Sequence, residues 1–294
     1  MNAGIRNCLP PDRNPRKPGL VLPAGSVDTH VHVFEDRYPR SPGRGYDPPE
    51  STLADLEHLH ETLGVDRVVF TQPSVYGVDN SAIMDGMASL NRRKPGRARA
   101  VVALTMDFTD DRVAALDAEG ARGIRLNMDN KGGMPLGLDR IPELARRIAP
   151  FGWHVEFLFP GKDILDLMPV FKALTVPMSI AHFAYQPATA GIAADGFRAL
   201  LELVREGNTW IKISGANRVS ETDLPPYDDV KPMAEALVEA APDRIMWGTD
   251  WPHPNKYEVN PNDGDLVDAF GDWVGDEAMR RAVMVDTPAA FYRF

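Results

Sequence analysis

Cysteine and long apolar segments are the scarcest features of this sequence. Only Cys8 carries a thiol among 294 residues, which excludes an intramolecular disulfide and is typical of a reducing compartment. No segment approaches the roughly 18 consecutive apolar residues of a membrane-spanning helix, and the basic N-terminus lacks the apolar stretch of a secretion signal. The sequence therefore predicts a cytoplasmic protein without a membrane anchor.

Positive charge is also in short supply. The chain has 32 Lys and Arg residues against 42 Asp and Glu residues, so its net charge is −10. Nucleic acids and anionic membrane surfaces are disfavoured as partners, because both bind proteins through excess positive charge. A small anionic substrate remains compatible with this balance if a few arginines converge, and association into a homo-oligomer is left open.

The sequence also lacks the glycine-rich phosphate motifs GxGxxG and GxxxxGK(S/T), which an open, doubly wound α/β sheet typically carries. Instead, short β-rich segments alternate with amphipathic helical segments. Strands are predicted at 27–34, 67–72, 98–104, 123–128, 153–159, 178–182, 210–214 and 245–249. Helices are predicted at 51–63, 79–93, 109–119, 139–149, 162–173, 195–206, 228–240 and 264–285. Eight such units predict a single-domain (β/α)8 TIM barrel over residues 25–294, preceded by an extended N-terminal arm over residues 1–24.

The first predicted strand contains a pair of histidines. Its sequence, Val-Asp-Thr-His-Val-His-Val-Phe, alternates polar and apolar residues. Residues two apart on a strand point to the same face, so His30 and His32 are expected to lie side by side. Two imidazoles at this spacing can bind a metal, polarise a carbonyl group or transfer a proton.

Barrel geometry gathers further polar residues around this pair, because the carboxyl ends of all strands converge on one mouth. The side chains expected there are His30, His32, Gln72, Ser74, Arg125, Asn127, Glu156, His182, Lys212, Ser214 and Asp250. The chain has only seven histidines, and three of them fall in this set. His30, His32, His182 and Asp250 are therefore predicted to form the functional centre.

A zinc ion is one occupant that this centre could hold. Zinc takes three or four ligands and keeps a position open for water, and the four predicted residues could supply them. Glu156 is a weaker candidate ligand, because pairing with Lys212 would compensate its buried charge. The residues alone leave a metal site and a metal-free site open. His154 lies early in the fifth predicted strand, and the sequence leaves open whether it reaches the mouth or lies too deep to contact substrate. His58 and His60 are expected on the surface of an amphipathic helix.

Three motifs resemble the amidohydrolase superfamily: His-x-His on the first strand, Ser-Ile-Ala-His at 179–182, and Trp-Gly-Thr-Asp-Trp-Pro-His-Pro-Asn at 247–255. More narrowly, the chain is similar, from about residue 20 onward, to the lactonase branch that contains 2-pyrone-4,6-dicarboxylate lactonase and sulfomuconolactone hydrolase. The resemblance implies a TIM barrel that hydrolyses a lactone with acidic groups. Pyrone dicarboxylate, muconolactone and sulfomuconolactone, from the catabolism of aromatic compounds, are the expected types.

The resemblance also implies roles for individual residues. Asp250 would be the general base that activates water, while His30, His32 and His182 would polarise the lactone carbonyl. The residues expected to bind substrate are Arg125, Arg218, Tyr46, Ser74, Tyr76 and Tyr185. No cofactor is implied as strictly required, although zinc at the four catalytic positions, or less favourably at Glu156, stays an option.

The sequence departs from that branch at several positions. Tyr185 and Tyr76 stand where the branch has an anion-binding arginine and a histidine, and Glu156 replaces an apolar residue. A second arginine after Arg125 is missing, with Lys131 as the candidate substitute. Alternative activities therefore stay open: a zinc-dependent sugar-acid lactonase, a lactone isomerase, a metal-dependent non-oxidative decarboxylase, or a binding protein without catalysis.

Overall fold

Eight parallel strands form the main sheet, and each pairs with the next strand along the chain. A computed structural model describes residues 5–133 and 136–294. The strands are β1 (Val27–Val31), β2 (Arg67–Thr71), β3 (Ala98–Val102), β4 (Ala121–Asn127), β5 (His154–Leu158), β6 (Met178–Ile180), β7 (Thr209–Lys212) and β8 (Ile245–Met246). The (β/α)8 barrel predicted from the sequence is confirmed.

The barrel closes between β8 and β1, just beyond the last residue of β8. The Asp250 amide donates to the His30 carbonyl oxygen at 3.0 Å, and the His32 amide donates to the Trp251 carbonyl oxygen at 2.9 Å. Val31 and Trp251 also form a parallel bridge. This closure places the histidine pair of β1 directly beside Asp250.

Helices cover the outside of the barrel. They are α1 (Leu53–Leu63), α2 (Ser81–Arg93), α3 (Asp110–Glu119), α4 (Ile141–Ile148), α5 (Ile164–Lys172), α6 (Asp195–Glu206), α7 (Lys231–Ala240), α8 (Asp263–Trp273), α9 (Glu277–Arg281) and α10 (Thr287–Tyr292). A π-helix, Ala282–Asp286, joins α9 to α10. Among the described helices, none has the length and apolar character needed to cross a membrane.

The prediction of one continuous helix over 264–285 is wrong. The first helix, α8, ends at Trp273. Gly275 follows, and the Asp276 side chain then accepts a hydrogen bond from the Met279 amide at 2.9 Å. A side chain that caps free amides in this way starts a new helix, so the chain forms two helices instead of one.

The core has two parts that face opposite sides of the sheet. Val27, Val69, Val101, Met246 and Tyr292 form a small cluster of buried side chains inside the barrel. A larger cluster lies between the strands and the surrounding helices. Burial of an aliphatic or aromatic side chain of this size contributes about 1.5–3 kcal/mol. Apolar packing inside the barrel leaves the carboxyl ends of the strands available for polar residues.

The N-terminal strap, residues 6–10, connects two loops at the carboxyl end of the barrel. Arg6 pairs in parallel with Tyr46 in the loop after β1. The Leu9 amide donates to the Lys256 carbonyl oxygen at 3.0 Å, and Cys8 Sγ accepts from the Asn255 amide at 3.3 Å. The strap therefore holds the loop after β1 and the loop after β8 in a fixed relation.

Candidate active site

A cavity opens at the carboxyl end of the barrel, where the sequence placed the functional centre. The residues that line it are His32, Tyr46, Arg125, Asn127, Asn130, Leu158, His182, Tyr185, Arg218, Asp250, Pro254 and Asn255. They come from β4, β5 and the loops that follow β1, β4, β6, β7 and β8. The fold thus converts separate strand ends into one polar pocket.

Asp250 lies at the centre of three imidazoles. Its Oδ1 atom is 3.5 Å from His182 Nε2 and 3.9 Å from the Nε2 atoms of both His30 and His32. All four side chains are buried, and Asp250 Oδ1 has no hydrogen-bond partner among the described residues. The four residues grouped from the sequence therefore lie together, around one unused carboxylate oxygen.

The backbone around Asp250 is held by a buried network. Asp250 has a φ of 65°, in the left-handed region that few non-glycine residues adopt. The neighbouring Thr249 donates from its amide and hydroxyl to the Asp28 carboxylate at 3.0 and 2.6 Å. His60 Nε2 lies 3.3 Å from the same carboxylate. These contacts fix β1 to the turn that presents Asp250.

The predicted surface position of His60 is wrong. It was expected on the surface, but only 2% of its side chain is exposed. The inner face of α1 packs towards β1, and a buried histidine there can satisfy Asp28. His58, two positions earlier on the same helix, is exposed as expected.

A left-handed turn brings two further residues into the cavity. His182, Phe183, Ala184 and Tyr185 follow β6 with φ values of 55°, 53°, 53° and 51°. Left-handed backbone costs a non-glycine residue about 1–2 kcal/mol. The turn places both His182 and Tyr185 against the cavity, with their rings stacked at 5.8 Å between centroids. Such backbone strain is concentrated at functional sites in proteins.

Arg218 forms an ion pair with the remaining oxygen of Asp250. Its Nε atom donates to Asp250 Oδ2 at 2.6 Å, and Nη2 donates to the Pro254 carbonyl oxygen at 2.8 Å. Burial raises the pKa of the Asp250 carboxyl, and the positive charge of Arg218 opposes that effect. Arg218 was predicted from the sequence to bind substrate, and its contact with Asp250 was not predicted.

The three histidines are neutral at neutral pH. Burial lowers their pKa values well below the usual range, and the cations Arg125, Arg218 and Lys212 lower them further. The Nδ1 atom of each imidazole, on the side of the ring away from Asp250, also contacts a neighbouring polar group. His32 contacts the Thr71 carbonyl oxygen at 2.7 Å, and His182 contacts Ser214 Oγ at 2.9 Å.

A buried set of charges lies beneath the histidines. Lys212 Nζ donates to Glu156 Oε2 at 2.5 Å and to the Thr29 carbonyl oxygen at 2.8 Å. Glu156 Oε1 is 3.7 Å from Arg125 Nε. Both Lys212 and Glu156 are fully buried, so the salt bridge that the sequence favoured for Glu156 is present.

The remaining predicted residues take different positions. Tyr46 lines the cavity, and burial raises its pKa to about 12, so its hydroxyl group is neutral. Ser74 lies behind it, with Oγ 3.5 Å from the Tyr46 hydroxyl. Neither Ser74 nor Tyr76 is among the cavity-lining residues: the Tyr76 hydroxyl accepts from the Glu35 amide at 3.0 Å instead. His154 packs on Phe291 at the amino end of β5, away from the cavity.

Four lining residues were absent from the predicted set: Asn130, Leu158, Pro254 and Asn255. Asn130 and Asn255 come from loops, and their amide groups contact each other at 3.3 Å. Strand periodicity gives no information about such loop positions. The signal for Asn255 was nevertheless present, because it ends the tryptophan-rich motif that follows β8.

A metal ion is chemically compatible with part of this site. His30, His32 and Asp250 each offer a ligand atom, and these atoms lie within 4.8 Å of one another. Three ligands with an open position are sufficient for zinc. Asp250 Oδ2, however, is already bonded to Arg218, and Lys212 Nζ approaches His30 Nδ1 at 3.3 Å. The donor set therefore fits a metal in number and spacing, while the surrounding cations oppose its charge.

Comparisons with known proteins agree with these motifs. The amidohydrolase family model matches residues 27–294. The chain is 35% identical over 290 residues to 4-sulfomuconolactone hydrolase of Hydrogenophaga intermedia, covering 97% of this chain and 94% of the relative. It is 36% identical over 289 residues to 2-pyrone-4,6-dicarboxylate hydrolase of Comamonas testosteroni, covering 95% and 93%. It is 32% identical over 282 residues to D-galactarolactone isomerase of Agrobacterium fabrum, covering 94% of each chain. The chain therefore belongs to the amidohydrolase family of hydrolases.

Proposed function

We propose that this enzyme hydrolyses a small lactone that carries one acidic group. The observation that carries the proposal is the unpartnered Asp250 Oδ1 atom among three neutral imidazoles. A buried carboxylate oxygen without a hydrogen bond is costly, and catalysis gives it a use. Relatives named as lactone hydrolases, which span nearly the whole chain, support the same reaction class.

In the proposed reaction, Asp250 removes a proton from a water molecule as the water oxygen attacks the lactone carbonyl carbon. The carbonyl becomes a tetrahedral oxyanion, which hydrogen-bond donors in a buried site stabilise strongly. The bond from the carbonyl carbon to the ring oxygen then breaks, and the ring oxygen takes up the proton that Asp250 removed from water. The product is a carboxylate and a hydroxyl or enol group, so one proton is released per turnover. Arg218 favours the ionised form of Asp250 that this sequence needs.

The charge balance of the site favours a substrate with a single anionic group. The charged residues that line the cavity are the cations Arg125 and Arg218 and the carboxylate Asp250, while Lys212 and Glu156 beneath them pair with each other. Two cations against one carboxylate in the lining leave one positive charge for the substrate, because the imidazoles are neutral. A muconolactone with one free carboxylate suits this balance better than a pyrone dicarboxylate or a sulfomuconolactone, each of which carries two anionic groups. A guanidinium group matches the carboxylate of such a muconolactone by forming two parallel hydrogen bonds.

No metal is required in the proposed reaction. If one binds, His30, His32 and Asp250 would hold it, and it would supply Lewis-acid polarisation of the carbonyl. The protein's own groups already provide a base and several hydrogen-bond donors at the same place. Purified enzyme is expected to contain less than one equivalent of zinc and to keep its kcat after treatment with a chelator. Loss of activity that returns on adding zinc would contradict this part of the proposal.

A sugar-acid lactone is the second candidate substrate. Asn127, Asn130 and Asn255 line the cavity, and their amides can donate to and accept from several hydroxyl groups. A relative named as a galactarolactone isomerase makes isomerisation the competing reaction for such a substrate. Isomerisation would use Asp250 to move a proton without consuming water.

A single assay separates these reactions. Muconolactone, 4-sulfomuconolactone, 2-pyrone-4,6-dicarboxylate and a hexaric acid lactone are each incubated with enzyme in weak buffer containing H₂¹⁸O. Hydrolysis is expected to release one proton and to place one ¹⁸O atom in the new carboxylate. Isomerisation would do neither. Failure to open any of these rings would overturn the proposal.

A further inference from the structure

The feature behind this inference is the set of contacts around the ammonium group of Lys212. This residue ends β7 and is fully buried. Its Nζ atom lies 2.8 Å from the Thr29 carbonyl oxygen, 2.5 Å from Glu156 Oε2 and 3.3 Å from His30 Nδ1. An ammonium group has three N–H donors and no acceptor, so each of the three neighbours must accept.

This contact decides which nitrogen of His30 carries the proton. A neutral imidazole has one N–H and one lone pair, and the tautomer follows from the partners of each nitrogen. The donor Nζ at 3.3 Å is closer to Nδ1 than the carboxylate oxygen Glu156 Oε1, which at 3.8 Å lies beyond hydrogen-bond distance. Nδ1 therefore presents its lone pair, and the proton resides on Nε2. His30 Nε2 points towards Asp250 Oδ1 at 3.9 Å and has no hydrogen-bond partner among the described residues. His30, which is not itself among the cavity-lining residues, is thus an N–H donor aimed at the centre of the group formed by Asp250 Oδ1 and the three imidazoles.

His32 has the opposite arrangement. Its Nδ1 atom lies 2.7 Å from the Thr71 carbonyl oxygen, which can only accept. The proton of His32 therefore resides on Nδ1, and its Nε2 atom presents a lone pair to the same centre. His182 is not fixed in this way, because its Nδ1 partner is the Ser214 hydroxyl, which can donate or accept.

We propose that Lys212 is a positioning residue that fixes the tautomer of His30, so that His30 and His32 face the substrate with opposite hydrogen-bonding polarity. His30 donates from Nε2 to the carbonyl oxygen as it becomes an oxyanion. His32 accepts at Nε2 from the attacking water and holds it for Asp250. These two roles rest on the proposed lactone hydrolysis, whereas the tautomers do not depend on it.

The same arrangement works against a metal at His30. A metal on Nε2 needs the lone pair there, which would move the proton of His30 to Nδ1. Two donors, Nδ1–H and the ammonium group of Lys212, would then face each other at 3.3 Å. The contact behind a ligand histidine ordinarily fixes the tautomer that leaves a lone pair for the metal. Lys212 instead fixes the tautomer that places the proton of His30 on Nε2, where a metal would need the lone pair.

The direct test is the protonation of the His30 ring nitrogens, observed by ¹⁵N–¹H NMR on protein labelled at histidine. The His30 signals are identified by their loss in His30→Gln. The wild type is expected to show a proton on Nε2 of His30 and on Nδ1 of His32. A wild-type spectrum with the His30 proton on Nδ1 would overturn the inference. The measurement needs no substrate, so it separates this inference from the proposed function.

Variants at Lys212 provide the second arm. Lys212→Met removes the donor but leaves Glu156 the guanidinium of Arg125 at 3.7 Å. The expected results are mixed His30 tautomers, a fall in kcat of about 10–100-fold with little change in KM, and at least about tenfold tighter zinc binding in a competition assay. Lys212→Gln keeps an amide N–H donor and should restore part of the population of the wild-type His30 tautomer. This variant also provides the test if Lys212→Met does not fold.

The matched control is Ser179→Ala. Ser179 is buried on β6, directly opposite Glu156 in register, and its hydroxyl has no hydrogen-bond partner among the described residues. This variant should leave the His30 tautomer, kcat and zinc affinity as in the wild type. An unchanged His30 tautomer in both Lys212 variants would overturn the positioning role.

Discussion

Replacing Asp250 by asparagine tests the central chemical claim most directly. The substitution preserves the shape of the side chain, and an amide oxygen can still accept from Arg218 Nε, which donates to Oδ2 at 2.6 Å in the wild type. Substrate binding should therefore change little. The group that disappears is the carboxylate oxygen aimed at the three imidazoles, which is the proposed proton acceptor.

The expected loss follows from what remains in the site. A general base typically contributes a factor of about 10²–10⁴, which corresponds to about 2.7–5.4 kcal/mol of barrier. His30, His32 and His182 stay in place, so carbonyl polarisation persists and activity should not vanish. We therefore expect kcat for the best lactone to fall by at least about a hundredfold while KM stays close to that of the wild type.

The assay is initial-rate proton release, with mass spectrometry to exclude conversion of the new asparagine back to aspartate. Asp263→Asn is the matched control, because Asp263 is also a fully buried aspartate but contacts His253 at 3.1 Å, outside the cavity lining. It should leave kcat within a few-fold of the wild type. Turnover by Asp250→Asn within tenfold of the wild type would refute Asp250 as the base.

Three further outcomes are expected. Arg218→Gln should move the acid limb of the kcat/KM profile to higher pH, because the guanidinium lowers the pKa of Asp250 in the wild type and its removal raises that pKa, while only the ionised carboxylate is active. KM should also rise, and an unmoved acid limb would contradict the ion pair. Tyr185→Arg adds a cation to the cavity wall and should raise kcat/KM for 2-pyrone-4,6-dicarboxylate relative to a monoanionic lactone, so an unchanged ratio would count against the charge balance. Deletion of residues 1–9 removes the strap contacts beside Tyr46 and should raise KM while lowering the melting temperature only slightly. Unchanged kinetics would show that the strap does not shape the cavity.

The sequence was sufficient to predict the barrel and the central four residues. Strand periodicity placed His30 and His32 on one face, and the rule that strand ends converge placed His182 and Asp250 with them. Those inferences depend only on which strand a residue ends. They need no knowledge of side-chain contacts between distant parts of the chain.

Such contacts are what the sequence could not provide. The ion pair of Arg218 with Asp250 and the hydrogen bond of His60 with Asp28 each join residues 32 positions apart, on different elements. His60 lies on a helix face whose amphipathic pattern is weak enough to read as exposed. The turn at Asp250, with its positive φ, also shortened β8 below the predicted range, because strand geometry ends before that residue.

The strap and the closure of the barrel also determine when the site can exist during synthesis. Asp250 lies in the loop after β8, the last strand of the barrel, while the strap that contacts Asn255 and Lys256 lies at residues 6–10. A nascent chain that has exposed only β1 to β7 holds all three histidines but neither Asp250 nor a closed barrel. The pocket can therefore form only after β8 and the loop that follows it have left the ribosome, and a shorter nascent chain lacks the complete site.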